Sequence, residues 1–205
     1  MPRWKNSLLS AESVQRIKRD AVLKAAGRAF SARGFHNTSL DDVAKSLNVA
    51  RATLYKYVQD KQEILRELHQ VGVDIATQAF EEGKRTPGTG ADILRTVLLT
   101  YTRLLIEDVG VAAVLRDLNA MRPEDRAEAV KARDSFERKF LQLLRAGIED
   151  GSLLPIEDPK LAVYTFMGAI CWVPRWYSAE GTLSSAEVAE VVTDNLLRGL
   201  VAETA

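Results

Sequence analysis

Two short apolar periods on either side of Asn48 constrain this chain more than any other feature of its 205 residues. Ser39 can cap a helix whose first turn holds Asp41 and Asp42 and whose inward side is Leu40, Val43, Ala44 and Leu47. Asn48 then tolerates the left-handed conformation of a tight turn, and a second short helix is predicted over residues 50–57. Upstream, Val14, Ile17, Ala21, Val22, Ala25, Ala26, Ala29 and Phe30 form the stripe of a longer amphipathic helix that Gly34 ends. A long helix followed by two short ones around a tight turn predicts a helix-turn-helix over about residues 39–58.

The remainder repeats the helical period. Asp60 can cap a fourth helix running to about residue 82, and the Gly-, Thr- and Pro-rich residues 83–90 read as a linker. Further helical stretches fall at 91–107, 111–118, from Pro123 to Gly151, after Asp158-Pro159, and after Ser184 or Ser185. No segment alternates with a period of two. The chain is expected to be all-α, with about nine helices. The helix-turn-helix predicts a DNA-binding unit over residues 1–63, followed by a second helical domain over 64–205.

Charge supports that division. The whole chain balances 28 basic against 28 acidic residues. Residues 1–63, however, hold twelve Lys and Arg against six Asp and Glu, and residues 64–205 hold sixteen against twenty-two. A basic N-terminal third suggests nucleic acid as an anionic partner there, which the helix-turn-helix narrows to double-stranded DNA, and an acidic remainder argues against a second nucleic-acid surface.

Other classes are excluded. One cysteine, Cys171, cannot form an internal disulfide framework or a multi-cysteine zinc site, and a buried thiol is expected. His36 and His69 are too isolated from other ligand types to predict a metal site. The longest uncharged run, residues 161–174, is shorter than the roughly 20 residues that span a bilayer, and the N-terminus lacks a secretory h-region. A cytoplasmic protein without a membrane segment is expected. No nucleophile elbow or phosphate loop is present, so no catalytic residue is assigned.

The second short helix would lie in a major groove. It presents Arg51, Thr53, Tyr55, Lys56 and Tyr57, with Leu54 turned inward and Ala52 small enough for close approach to base edges. Arg51 can reach guanine O6 and N7, and the tyrosines can meet phosphates or thymine methyls. Lys61 would meet a phosphate at the start of the fourth helix. With Ser39, these make up the expected DNA-binding set. Arg3, Trp4 and Lys5 could form a minor-groove arm.

Residues 17–65 resemble the TetR family of bacterial transcriptional regulators. The likeness rests on Ala25-Ala-Gly-Arg-Ala-Phe30, on Gly34-Phe-His-Asn-Thr-Ser-Leu-Asp-Asp-Val-Ala44, and on the stretch from Asn48 through Tyr55-Lys-Tyr57 to Leu65. Asn48 replaces the usual turn glycine, Ala50 a common capping serine and Val58 a common phenylalanine. Missing a cap forfeits about 1 kcal/mol. The resemblance implies a homodimeric repressor of all-helical subunits, bound to a palindromic operator and released by a small hydrophobic ligand in the C-terminal domain.

Residues 161–174 are apolar nearly all round and must be covered on two sides. Pairing with the last helix and with the same two helices of a second subunit would do so. Tyr164, Met167, Gly168 and Cys171 share one face, with Trp172 at its edge. Val163, Phe166, Ile170 and Val173 share the other. The first is the preferred interior face, and the expected ligand set is Tyr101, Phe140, Tyr164, Met167, Trp172 and Trp176. The tail after Cys171 is similar to regulators of lipid and steroid catabolism, several of which respond to acyl-CoA thioesters. Such an effector would need an apolar tunnel and cations, for which Arg103, Arg116, Arg122 and Arg175 are available. The alternative is a non-inducible or multidrug-responsive regulator of the same type.

Overall fold

A computed structural model describes residues 10–116 and 118–202, with side chains for all of these except Ala11, Val109, Ala112, Ala113 and Arg116. Arg3, Trp4 and Lys5 lie outside the described residues. Helix α1 (Ala11–Arg33) starts at Ser10, whose side chain accepts from the Ser13 amide, and ends at Gly34 with φ 84°. Helix α2 (Leu40–Ser46) opens with a full capping box between Ser39 and Asp42. Asn48 takes φ 54°, the left-handed turn expected of it. Helix α3 is shorter than the sequence period implies, Arg51–Leu54. Ala50 gives it no side-chain cap, and the amides of Lys56 and Tyr57 fold back onto the carbonyls of Thr53 and Leu54, three residues earlier. The second short helix thus closes as a tight turn.

Helix α4 (Lys61–Arg85) is capped by Asp60 and continues past residue 82, so only residues 86–89 connect it to α5 (Gly90–Glu107). The supposed linker glycines are packing positions. A Cβ on Gly83 would strike Val97, and one on Gly90 would strike the Gly147 backbone. After Asp108 the chain turns into α6 (Val109–Arg116) and, beyond a 3₁₀ turn at Leu118–Ala120, into α7 (Pro123–Glu149). Helices α8 (Pro159–Trp176) and α9 (Ser185–Leu197) complete the all-α architecture. The β pairing among the described residues is one isolated bridge, Leu153 to Val201. Among the described residues no helix is long and apolar enough to cross a membrane.

Apolar side chains gather into two main cores that meet along α4. Val22, Ala26, Phe30, Val43, Leu54, Ile64, Leu65 and Leu68 form the first, closed from below by Val114, Met121 and Ala129. Ile75, Phe80, Leu98, Tyr101, Phe140, Phe166 and Ile170 belong to the second. Helix α4 contributes to both, passing from one to the other between Leu68 and Ile75. Each fully buried Leu or Phe removes enough apolar surface from water to favour folding by about 1.5–3 kcal/mol.

On α8 the preferred interior face is corrected. Val163, Phe166, Ile170 and Val173 are buried as α8 packs against α5, α6 and α7, and Val173 shares a small cluster with Ile106, Val188 and Ala189. Tyr164, Gly168 and Trp172 are exposed, while Met167 and Cys171 are half-buried at the boundary. Both faces are apolar, so periodicity could group their residues but could not orient the groups.

Candidate nucleic-acid interface and interior cavity

The reading head is anchored by Leu54 and Val58, both buried in the first core. That leaves Arg51, Ala52, Tyr55 and Lys56 exposed on one surface, with Thr53 and Tyr57 half-buried at its edges. Arg51 lies between two partners. Its Nη1 donates to Asp41 Oδ2 at 3.0 Å and its Nη2 to the Tyr55 hydroxyl at 3.0 Å. These contacts hold the guanidinium over α3 and are exposed enough to be exchanged for a base edge. Ser39 is exposed, its hydroxyl engaged with Asp42 in the α2 cap.

Lys61 has a structural task in addition to the phosphate contact expected of it. Its ammonium donates to the Phe35 carbonyl at 2.9 Å and the Thr38 carbonyl at 2.7 Å, and stands 4.4 Å from the Phe35 ring centroid. An ammonium has three donors, which leaves one for an incoming phosphate. A further positioning residue was not legible in the sequence. Arg19 of α1 donates to the Tyr57 carbonyl and to Glu67, and to Glu63 at 2.6 Å, tying the end of the reading turn to α4. These two carboxylates, Glu67 more than Glu63, hold the Arg19 guanidinium more firmly protonated than usual. The only sequence trace of this contact is the spacing of Glu63 and Glu67, one helical turn apart.

Below the head, α4, α5, α6, α7 and α8 surround a cavity of about 300 Å³. Helix α4 supplies one wall with His69, Gly72, Ala76 and Phe80, which follow one another at helical spacing. Tyr101, Leu115, Phe136, Val163, Tyr164 and Met167 contribute to the remaining walls. Burial pushes the Tyr101 phenol well above its ordinary value, so it remains protonated. At the mouth, Glu137 receives the Tyr164 hydroxyl at 3.1 Å and the Lys160 ammonium at 3.2 Å.

Of the six side chains expected to meet a ligand, Tyr101, Tyr164 and Met167 line this cavity. Phe140 does not. It is fully buried behind the lining, 5.0 Å from Phe136 and 5.2 Å from Phe80 between ring centroids. Trp172 and Trp176 are on the outer side of α8, 53% and 55% exposed. The proposed cations are also elsewhere. Arg103 pairs with Glu107, Arg122 with Asp60, and Arg175 donates to the Ser31 carbonyl at 3.3 Å, while the Arg116 side chain is outside the described set. Among the described residues, the cavity-lining cations are Arg133 and Lys139 of α7.

Two family comparisons cover most of the chain. The family described as "Bacterial regulatory proteins, tetR family" matches residues 22–68, and "Tetracyclin repressor-like, C-terminal domain" matches residues 87–200. The HTH-type transcriptional repressor KstR2 of Mycolicibacterium smegmatis is 28% identical over 187 residues, 89% of this chain and 90% of that protein. The solved structure of the ketosteroid regulator KstR2 of Mycobacterium tuberculosis superposes with a TM-score of 0.79 at 20% identity, over 91% of this chain and 96% of that one. AibR in complex with isovaleryl coenzyme A and operator DNA superposes with a TM-score of 0.69 at 20% identity, over 87% of this chain and 97% of that one.

Proposed function

From the premise that this chain belongs to the TetR family, as a DNA-binding transcriptional regulator and not an enzyme, we propose that it is a homodimeric repressor released by a small hydrophobic effector. The observation that carries the proposal is the shared helix. Helix α4 begins beside α3 at Lys61 and, about two to five turns later, forms a wall of the cavity with His69, Gly72, Ala76 and Phe80. A ligand wedged there acts on the element that holds the reading head.

Dimerisation is supported by the outer side of α8. Leu161, Thr165, Gly168, Trp172 and Trp176 follow one another at helical spacing and are all exposed, with Val191 of α9 also uncovered. An exposed apolar stripe of this size marks an interaction surface. An isologous pairing of α8 and α9 across a two-fold axis would cover it and would set two reading heads about 34–36 Å apart on a palindrome.

For the effector, an acyl-CoA thioester is the proposed class. The cavity is apolar within and carries Arg133 and Lys139, which suits an acyl group inside and phosphates outside. The names of the relatives agree, since one structural neighbour is described with isovaleryl coenzyme A and operator DNA. By linkage, a ligand that prefers the DNA-free geometry must itself be bound more weakly on DNA.

Fluorescence anisotropy on the DNA upstream of the chain's own gene tests the reading. Sequence-specific binding reversed by acyl-CoA thioesters, but not by free coenzyme A, is expected. Release by neutral drug-like compounds alone would favour the multidrug alternative, and equal binding to random DNA would overturn the operator claim.

A further inference from the structure

His69 is a buried polar side chain on the cavity that the account above leaves without a task. It is 9% exposed and lines the cavity from α4. Among the described residues it has no hydrogen-bond partner. Buried polar groups are almost always bonded, and among the described residues three of the four buried threonines follow the rule, Thr193 being the exception. Thr38 donates to the Ala29 and Gly34 carbonyls, Thr100 to Glu82, and Thr102 to the Leu98 carbonyl. An imidazole that faces a cavity and bonds to no described residue can serve as a recognition group.

Its surroundings restrict what that partner can be. Gly72, Val73, Leu115 and Leu118 line the cavity with it and carry no charge, and the charged lining residues among those described, Arg133, Glu137 and Lys139, all come from α7. A desolvated charge without a counter-charge is strongly disfavoured there, whereas a neutral oxygen that accepts a hydrogen bond is not. A neutral imidazole has one N–H to donate and one bare nitrogen. Position adds a consequence. Leu68, the preceding residue, belongs to the core of the reading head, so a ligand held at His69 bears on α4 where that core ends.

We propose that His69 is the polar anchor of the effector, donating its N–H to a carbonyl oxygen on an otherwise apolar molecule. The contact makes the cavity select oxygenated hydrophobes over hydrocarbons of the same shape. This rests on the cavity being the effector site. A ketone and a thioester both supply the required oxygen.

The test uses the full-length protein and two matched probes, 4-phenyl-2-butanone and the analogue in which C=CH₂ replaces C=O, with binding measured by equilibrium dialysis. The wild-type protein is expected to prefer the ketone by about tenfold, the worth of one buried hydrogen bond. His69→Leu should erase the preference while leaving the hydrocarbon's affinity intact. His69→Gln, which keeps a donor, should restore part of it and serves if His69→Leu does not fold. A preference that is absent in the wild type, or that persists in His69→Leu, overturns the anchor while leaving the cavity reading standing. Failure of both probes to bind the wild type overturns the cavity reading, and the anchor with it.

Discussion

Gly27 of α1 and Gly110 of α6 cross with only backbone between them. A Cβ on Gly27 would stand 2.5 Å from the Gly110 Cα, and one on Gly110 would stand 2.7 Å from the Gly27 Cα. Helix α6 also packs on α4, where a Cβ on Gly72 would be 2.9 Å from Val111. Because Leu115 of α6 lines the cavity, the crossing would give the proposed effector a second route to the reading head beside α4.

Gly27→Ala and Gly110→Ala are therefore expected to force α1 and α6 apart. Overpacking of this kind costs about 1–3 kcal/mol, and each kcal/mol lowers the Tm of a chain of this size by about 2–4 °C. Thermal unfolding at fixed protein concentration checks this. An unchanged Tm in both variants would contradict the backbone contact.

At the reading head the two basic side chains should separate. Arg51→Ala is expected to weaken operator binding by about 1–3 kcal/mol with little change on random DNA, because the lost contact is to a base. Lys61→Ala should weaken both and flatten the salt dependence by about one counterion. It should also lower stability, since the Phe35 and Thr38 carbonyls lose their donor. Equal losses for Arg51→Ala on operator and random DNA would remove its base-reading role.

The outer stripe of α8 offers a clean test of assembly. A Cβ on Gly168 meets nothing within 4 Å, so Gly168→Arg leaves the subunit's own packing undisturbed. It places a charge in the middle of the proposed interface. Sedimentation velocity should show a dimer become a monomer while the helical circular dichroism is unchanged. A variant that stays dimeric would place the interface elsewhere.

His69 gives stability a pH dependence of definite sign. Burial holds its imidazole below the ordinary value of 6.5. As pH falls below about 6.5, the unfolded chain takes up a proton that the folded chain does not yet accept, so stability is lost in that window and kept above it. The slope is at most about 1.4 kcal/mol per pH unit. Urea unfolding of the wild type and His69→Gln should give a difference that is flat above pH 7 and moves in the variant's favour below 6.5. A constant difference across that range would show that His69 is not desolvated.

The parts of the molecule that sequence predicted best are those decided within one or two turns of chain. The Ser39 cap, the left-handed Asn48, Asp60 and Ser184 at their helix starts, and Leu54 as the inward residue of α3 all depend on near neighbours. Gly83 and Gly90 were misread because a missing side chain serves both a flexible linker and a close helix crossing. Arg133 and Lys139 were passed over in favour of other arginines because nothing local distinguishes a cation beside a cavity from one on an open surface.

By itself, then, the sequence determined the all-helical fold, the helix-turn-helix, and which residues share a helical face, all through short-range hydrogen bonding and the 3.6-residue repeat. The tertiary structure alone decided which face of α8 is buried, that Phe140 is behind the cavity and His69 on it, and that Gly27 meets Gly110. Those outcomes depend on contacts between helices far apart in the chain. Each of these helices offers more than one apolar face, and only the fit of all of them together selects among the alternatives.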